Sequence, residues 1–163
     1  MIAQRKISLV SIAVCMGIMF TLAAIGGSIT QLGPWYQSLK MPSWQPPGAA
    51  FGIVWSTIYV LTTISAVLAW RDVSKPGEGR KLIGLFLLNC VLNLMWSFLF
   101  FKLQRPDFAM IQVIFFWLSI LALILFIWPI NKIASILLWP YLIWVTIASA
   151  LNLSIVQLNG YLP

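Results

Sequence analysis

The sequence predicts an all-α integral membrane bundle of five transmembrane helices, and three observations lead there. Hydrophobic residues make up 61% of the chain and charged residues 8%, too few charges to cover a soluble surface. The apolar residues gather into five runs, each close to the ~20 residues that cross ~30 Å of hydrocarbon. The ten basic residues lie at or near the ends of those runs, where Lys and Arg act as topology signals. In a soluble protein the net charge of +7 would point to nucleic acid, but at the flanks of membrane spans it does not.

The runs are Ile7 to Ile29, Ala50 to Trp70, Leu82 to Phe101, Phe108 to Trp128 and Ile133 to Val156, read together as one domain over residues 1–163. Unpaired backbone groups are so costly in lipid that runs of this length are helical. The first follows Arg5-Lys6 and has Ala23-Ala24 near its end, as a signal peptide would. Its apolar core exceeds an h-region of about 7 to 15 residues, so it reads as a span.

Between the first and second spans lies a loop, residues 31–48, that carries four of the nine prolines: Pro34, Pro42, Pro46 and Pro47. Proline fixes its own φ and biases the preceding residue to extended backbone, so the loop is expected to be stiff. Pro34 to Leu39 has room for about one helical turn, ended by the restriction at Met41. Trp35, Tyr36 and Trp44 argue against disorder. A stiff aromatic loop between two spans is expected to act as a lid over a ligand pocket.

The other connections are simpler. Arg71 to Lys81 is polar, with one Pro and two Gly, and reads as an ordinary mobile turn. Lys102 to Asp107 and Pro129 to Lys132 are short, which makes consecutive helices antiparallel neighbours. Pro106-Asp107 suits the start of the fourth helix, because Pro fits a first turn and a carboxylate there complements the dipole. Arg5, Lys6, Arg71, Lys75, Arg80, Lys81 and Lys132 flank one side of the membrane, and Lys40, Lys102 and Arg105 the other. Seven against three places the N-terminus in the cytoplasm and the lid and C-terminus opposite, for a bacterial plasma membrane protein.

Polar and aromatic residues inside the spans are the candidate site. In the third span Asn89, Asn93 and Trp96 share a helix face, with Ser97 beside Asn93. The two amides face the bundle interior, either as hydrogen-bonding links between helices or as ligand contacts. In the second span Phe51, Trp55 and Tyr59 recur at i, i+4 and i+8, a stripe that serves either packing or binding. In the fifth, Pro140 is expected to kink the helix and free the carbonyl of Ile136. Trp144, Ala148 and Asn152 follow on one face. Trp70 and Trp128 sit at span ends as belt residues, Trp139 is packing or belt, and Trp117 is read as facing lipid.

Several chemistries lack their groups. The chain has no histidine for haem ligation or acid-base catalysis, and Asp72, Glu78 and Asp107 sit at membrane edges, so neither a proton relay nor a hydrolytic pair is indicated. Cys15 and Cys90 lie deep in apolar runs with no Cys-x-x-Cys spacing, and read as packing residues, without a disulfide or zinc. No cofactor and no metal site are expected. The surviving possibility is a flat aromatic cavity for a flat, apolar ligand with polar edges.

The succession Trp35-Tyr36-x-x-Leu39-x-x-Pro42-x-Trp44-x-Pro46-Pro47-Gly48, Gly52-x-x-Trp55, Leu92-Asn93-x-x-Trp96 and Pro140-Tyr141-x-x-Trp144-x-x-x-Ala148-x-x-Leu151-Asn152 resembles the tryptophan-rich sensory protein (TspO) family, which includes the translocator protein, or peripheral benzodiazepine receptor. The resemblance spans nearly the whole chain. It implies a five-helix membrane bundle, often a homodimer, that binds porphyrins such as protoporphyrin IX and, in some members, sterols and benzodiazepine or isoquinoline drugs. It implies Trp44, Trp55, Asn93, Trp144 and Ala148 as pocket lining, with Tyr36, Pro46 and Phe51 near the mouth. Asn89 is polar on the same face and joins them. Carboxylates on a porphyrin rim would meet Lys40, Lys102 or Arg105.

Three activities follow from the resemblance: receptor or sensor, transporter of tetrapyrrole, and an enzyme-like, light-dependent porphyrin breakdown in which Trp55 and Trp144 would be the catalytic, redox-active rings. Two features depart from the family pattern. The sterol motif of animal members has an aromatic and a basic residue after the fifth-helix Asn, whereas Asn152 is followed by Leu-Ser-Ile-Val-Gln-Leu. Gly84 is followed four residues on by Leu88, half of the small-xxx-small pattern used for dimer contacts.

Overall fold

The computed structural model describes residues 9–161, save the side chain of Ser11. Arg5, Lys6, the Ile7 start of the first run and the last two residues lie outside the described part. Within it every regular element is helical: α1 (Leu9–Ile29), α2 (Pro34–Ser38), α3 (Gly48–Asp72), α4 (Glu78–Ser97) running into a π-helical turn (Phe98–Lys102), α5 (Pro106–Ile127), α6 (Lys132–Ile136) and α7 (Trp139–Leu158). Five spans are long and apolar enough to cross a bilayer, with α6 and α7 together forming the fifth. The chain is an integral, multi-pass membrane protein.

The spans close into a ring in the order α1, α3, α7, α5, α4, and back to α1. The core follows that order unevenly. α5 buries ten residues, among them Phe116, Ile120 and Leu123, whereas Met19 and Leu22 are the buried residues of α1 among those described. α1 is thus the loosest member of the ring, and the space beside it matters below.

Local chemistry sets the helix limits. α5 opens with Pro106 in its first turn, as its sequence predicts, and the Arg105 guanidinium donates to the Asp107 carboxylate just ahead of it. Pro34 likewise starts α2, and Leu39 ends it in extended backbone at ψ 135°. Asn131 caps α6 by accepting from the Ala134 N–H at 2.8 Å. Pro140 does more than kink the fifth span. The helix stops at Ile136, turns, and restarts at Trp139 with Pro140 in the first turn of α7.

That break frees the Ala134 carbonyl deep in the protein, and a neighbouring hydroxyl satisfies it. The Leu138 N–H bonds to Ser135 O, which leaves Ala134 O to accept from the Ser65 hydroxyl of α3 at 2.7 Å. Ser135 in turn donates to Ile124 O of α5 at 2.7 Å. The interruption therefore fastens the fifth span to both its neighbours.

The loop after α3 carries polar ties that its composition does not suggest. Arg71 pairs with Asp72 at 2.6 Å, the same carboxylate accepts from Asn131 Nδ2 at 2.6 Å, and Glu78 accepts from the Lys75 N–H at 3.1 Å. Asn131 lies in the distant α5–α6 link, so the tie was invisible to a local reading of the loop. Trp117 is part-exposed, and its indole donates to Thr146 Oγ1 of α7 at 2.8 Å, which turns its polar edge toward a neighbouring span.

Candidate functional site

The loop expected to act as a lid is anchored at several points. Gln45 Nε2 donates to the Tyr36 hydroxyl at 3.2 Å, tying the proline-rich stretch to α2. Burial pushes the Tyr36 phenol above its ordinary value, with the Gln45 bond opposing that shift, so the phenol stays protonated. From the far end of α7, Asn159 Oδ1 accepts from the Lys40 N–H at 2.9 Å while its Nδ2 donates to Lys40 O at 3.0 Å. Leu39 is buried among Phe100, Ala109, Leu151 and Ile155, which seats the lid on the π turn, α5 and α7.

The π turn decides which rings the lid meets. Its Leu103 N–H reaches Phe98 O at 2.9 Å, a five-residue step that rotates the end of the third span. Phe100 stacks on Trp96 at 5.2 Å and meets Trp35 of the lid edge-on at 6.0 Å. Phe101 lies 5.9 Å from Tyr36. Phe100 and Phe101 were not among the sequence candidates, although Phe100 stands one helical turn beyond Trp96.

Below the lid, rings of the second and fifth spans face each other. Phe51 meets Trp144 at 5.5 Å and 75°, and Trp55 meets Tyr141 at 6.0 Å and 74°. Both are edge-to-face contacts, worth roughly 0.5–1.5 kcal/mol each beyond area burial. Trp144 is 8% exposed and Tyr141 3%, so these rings point into the bundle and away from lipid. Phe51 and Trp96 pack against this cluster and against the lid cluster alike, which joins the two into one aromatic body.

A chain of polar groups underlies the rings. Asn93 Nδ2 donates to the Tyr141 hydroxyl at 3.2 Å, and that hydroxyl donates to Asn89 Oδ1 at 3.2 Å. Asn89 Nδ2 donates to Ser119 Oγ at 2.8 Å, and Ser119 to Phe116 O at 2.7 Å. The amides thus link the third, fourth and fifth spans. Tyr141, the hinge of the network, was missed as a site residue; its place one turn before Trp144 was the available signal. Asn152, on the Trp144 stripe, takes a structural part: with its amide turned to satisfy both partners it donates to Pro106 O and accepts from Met110 N, each at 3.1 Å.

The remaining candidates divide. Pro46 and Ala148 are half-buried. Trp44 is 48% exposed and stands outside the packed rings. Two indole donors, Trp96 Nε1 and Trp144 Nε1, are buried without an acceptor. An indole N–H is a donor only. Where the sequence led us to expect open space between Trp55 and Trp144, the rings contact their neighbours edge-on. A cavity of about 570 Å³ opens one helix away, between α1 and α3, and Tyr59, which leans on Trp55 at 5.6 Å, forms part of its wall.

Residues 11–158, from the first span to the end of α7, match the TspO/MBR family. The chain belongs to that family. It is 36% identical to protein CrtK of Rhodobacter capsulatus over 84% of this chain and 86% of that one. It is 34% identical to the tryptophan-rich protein TspO of Chlorobaculum tepidum, covering 93% of this chain and 97% of the relative. The translocator protein of Homo sapiens is 29% identical over 72% of this chain and 70% of its own. The matched residues take in all or nearly all of each of the five spans and the loop between the first two.

Proposed function

We propose that this TspO/MBR member is a receptor or sensor for tetrapyrroles of the protoporphyrin IX type and related flat hydrophobic ligands, held among the rings beneath the lid. The observation that carries the reading is the inward meeting of Phe51 and Trp55 with Tyr141 and Trp144. Flat π faces recognise a flat macrocycle, and the buried Trp144 N–H offers a donor to its polar edge. The ligand parts these edge-on contacts as it enters, with Tyr59 standing between them and the cavity beside α1. Trp44 folds in from its exposed position as the lid closes on the ligand, and Pro46, Asn93 and Ala148 complete the lining. The protein resides in a bacterial plasma membrane as a homodimer of five-helix domains, N-terminus cytoplasmic and lid opposite.

Titrating the purified protein with protoporphyrin IX while following tryptophan fluorescence tests this. Saturable quenching is expected, with affinity lowered about tenfold in the Trp55→Phe/Trp144→Phe variant. Unchanged affinity in that variant would overturn the assignment of these rings.

A further inference from the structure

A second cavity, away from the ring cluster, lies where α1, α3 and α4 meet, with a volume of about 380 Å³. Its walls include Val14 and Ile18 of α1, Ala66 and Trp70 of α3, and Ile83 and Cys90 of α4. On α4 it runs from Leu82 to Cys90, which is roughly 12 Å at ~1.5 Å per residue. That is most of the depth of one leaflet, about half of ~30 Å. The slot is apolar throughout, is open along its side, and starts at the membrane edge where α3 ends and α4 begins.

Charge at its head is unusual. Arg80 falls on the same α4 stripe as Ile83 and Leu87, at i, i+3 and i+7, and Lys81 follows it. Both are exposed, and neither takes part in an ion pair among the described residues. Among the described residues, the other cations at this end are engaged: Arg71 with Asp72, Lys75 with Glu78, and Lys132 over the Trp128 ring. Two cations in the first turn oppose the helix dipole, so helix stability does not account for them. At Gly79, just ahead of them, an added Cβ would come within 3.1 Å of the Trp70 ring, which places that amphipathic ring at the head of the slot.

We infer that this slot is a binding site for one anionic phospholipid, with an acyl chain between α1 and α4 and the headgroup phosphate on Arg80 and Lys81. An apolar groove alone would take any lipid tail. Arg80 and Lys81, exposed at its head and in no ion pair among the described residues, select a negative headgroup, since each Lys or Arg near the surface adds to the attraction of anionic lipid. Because none of the rings proposed to hold a tetrapyrrole takes part, this inference and the proposed function stand or fall separately.

Native mass spectrometry of the purified full chain, offered phosphatidylglycerol or phosphatidylcholine of matched acyl chains, tests it. Phosphatidylglycerol is expected to be retained about tenfold more than phosphatidylcholine, one lipid per chain, and Arg80→Gln/Lys81→Gln to abolish that preference. Lys40→Gln/Lys102→Gln, the same charge change at the opposite end, is expected to keep it. Ala66→Phe, which fills the slot, is expected to lose both lipids; should it fail to fold, the two charge variants decide alone. Equal retention of the two lipids, a preference that survives Arg80→Gln/Lys81→Gln, or a lipid-free dimer occupying this face would overturn the inference.

Discussion

Asn159 grips the backbone of Lys40 from both sides, accepting from its N–H at 2.9 Å and donating to its carbonyl at 3.0 Å across 119 residues of sequence. One side chain at the end of the last span thus holds the loop that follows the first. Asn159→Ala removes both bonds and also the bond to Ile155 O at 2.8 Å. Losing bonds of this kind costs about 1–3 kcal/mol locally. We expect the Lys40 amide to exchange hydrogen about tenfold faster in the variant, with exchange in α5 unchanged. Unaltered exchange at Lys40 would show that the buried Leu39 alone seats the lid.

Tyr141→Phe tests the polar network. The hydroxyl both receives from Asn93 and donates to Asn89, so its removal strands one amide donor and one amide acceptor among buried groups. Interhelical hydrogen bonds in membrane proteins are worth ~1 kcal/mol each. The variant is expected to lose about 1–2 kcal/mol, read as a lower midpoint of unfolding in detergent. In a double-mutant cycle with Asn89→Leu the losses should not add, because both variants break the same chain of bonds. Additive losses would mean that the two groups act independently.

How much of this was legible beforehand depends on the range of each interaction. Composition and the length of the apolar runs were enough for the five spans, and Pro34 and Pro106 marked their helix starts because proline acts on its own turn. The inward stripe of Phe51, Trp55 and Tyr59 was visible as periodicity. The π turn was not: Phe98-Leu99-Phe100-Phe101 is apolar on every side, so the added rotation leaves no mark in the pattern. The clamp on Lys40 and the tie from Asp72 to Asn131 join residues far apart in sequence, and a single polar residue near a helix end does not announce a distant partner.

Gln104 adopts φ 54°, the left-handed region, in the tight link after the π turn. For a residue with a Cβ this costs roughly 1–2 kcal/mol, and glycine escapes it at an entropic cost of about 0.5–1 kcal/mol. Gln104→Gly should therefore stabilise the protein by about 0.5–1 kcal/mol, seen as a small rise in the unfolding midpoint. A fall in the midpoint would mean that the Gln104 side chain contributes more than its backbone strain costs.

Illumination separates a receptor from a protein that consumes its ligand. If Trp55 and Trp144 only cradle a porphyrin, their indoles exchange no electron with the macrocycle when it absorbs light. Absorbance of protoporphyrin IX should then decay under light at the same rate with the wild-type protein, with Trp55→Phe/Trp144→Phe and free in detergent. Decay several times faster with the wild type than with both controls, dependent on dissolved dioxygen as the oxidant and accompanied by new absorbance from an opened, oxygenated macrocycle, would instead make those indoles redox partners. In that event the edge-on contact of Trp55 with Tyr141 would mark the route by which an oxidised Trp55 ring is restored. Tyr141→Phe would then slow the decay relative to the wild type, because phenylalanine cannot give up an electron as the phenol can.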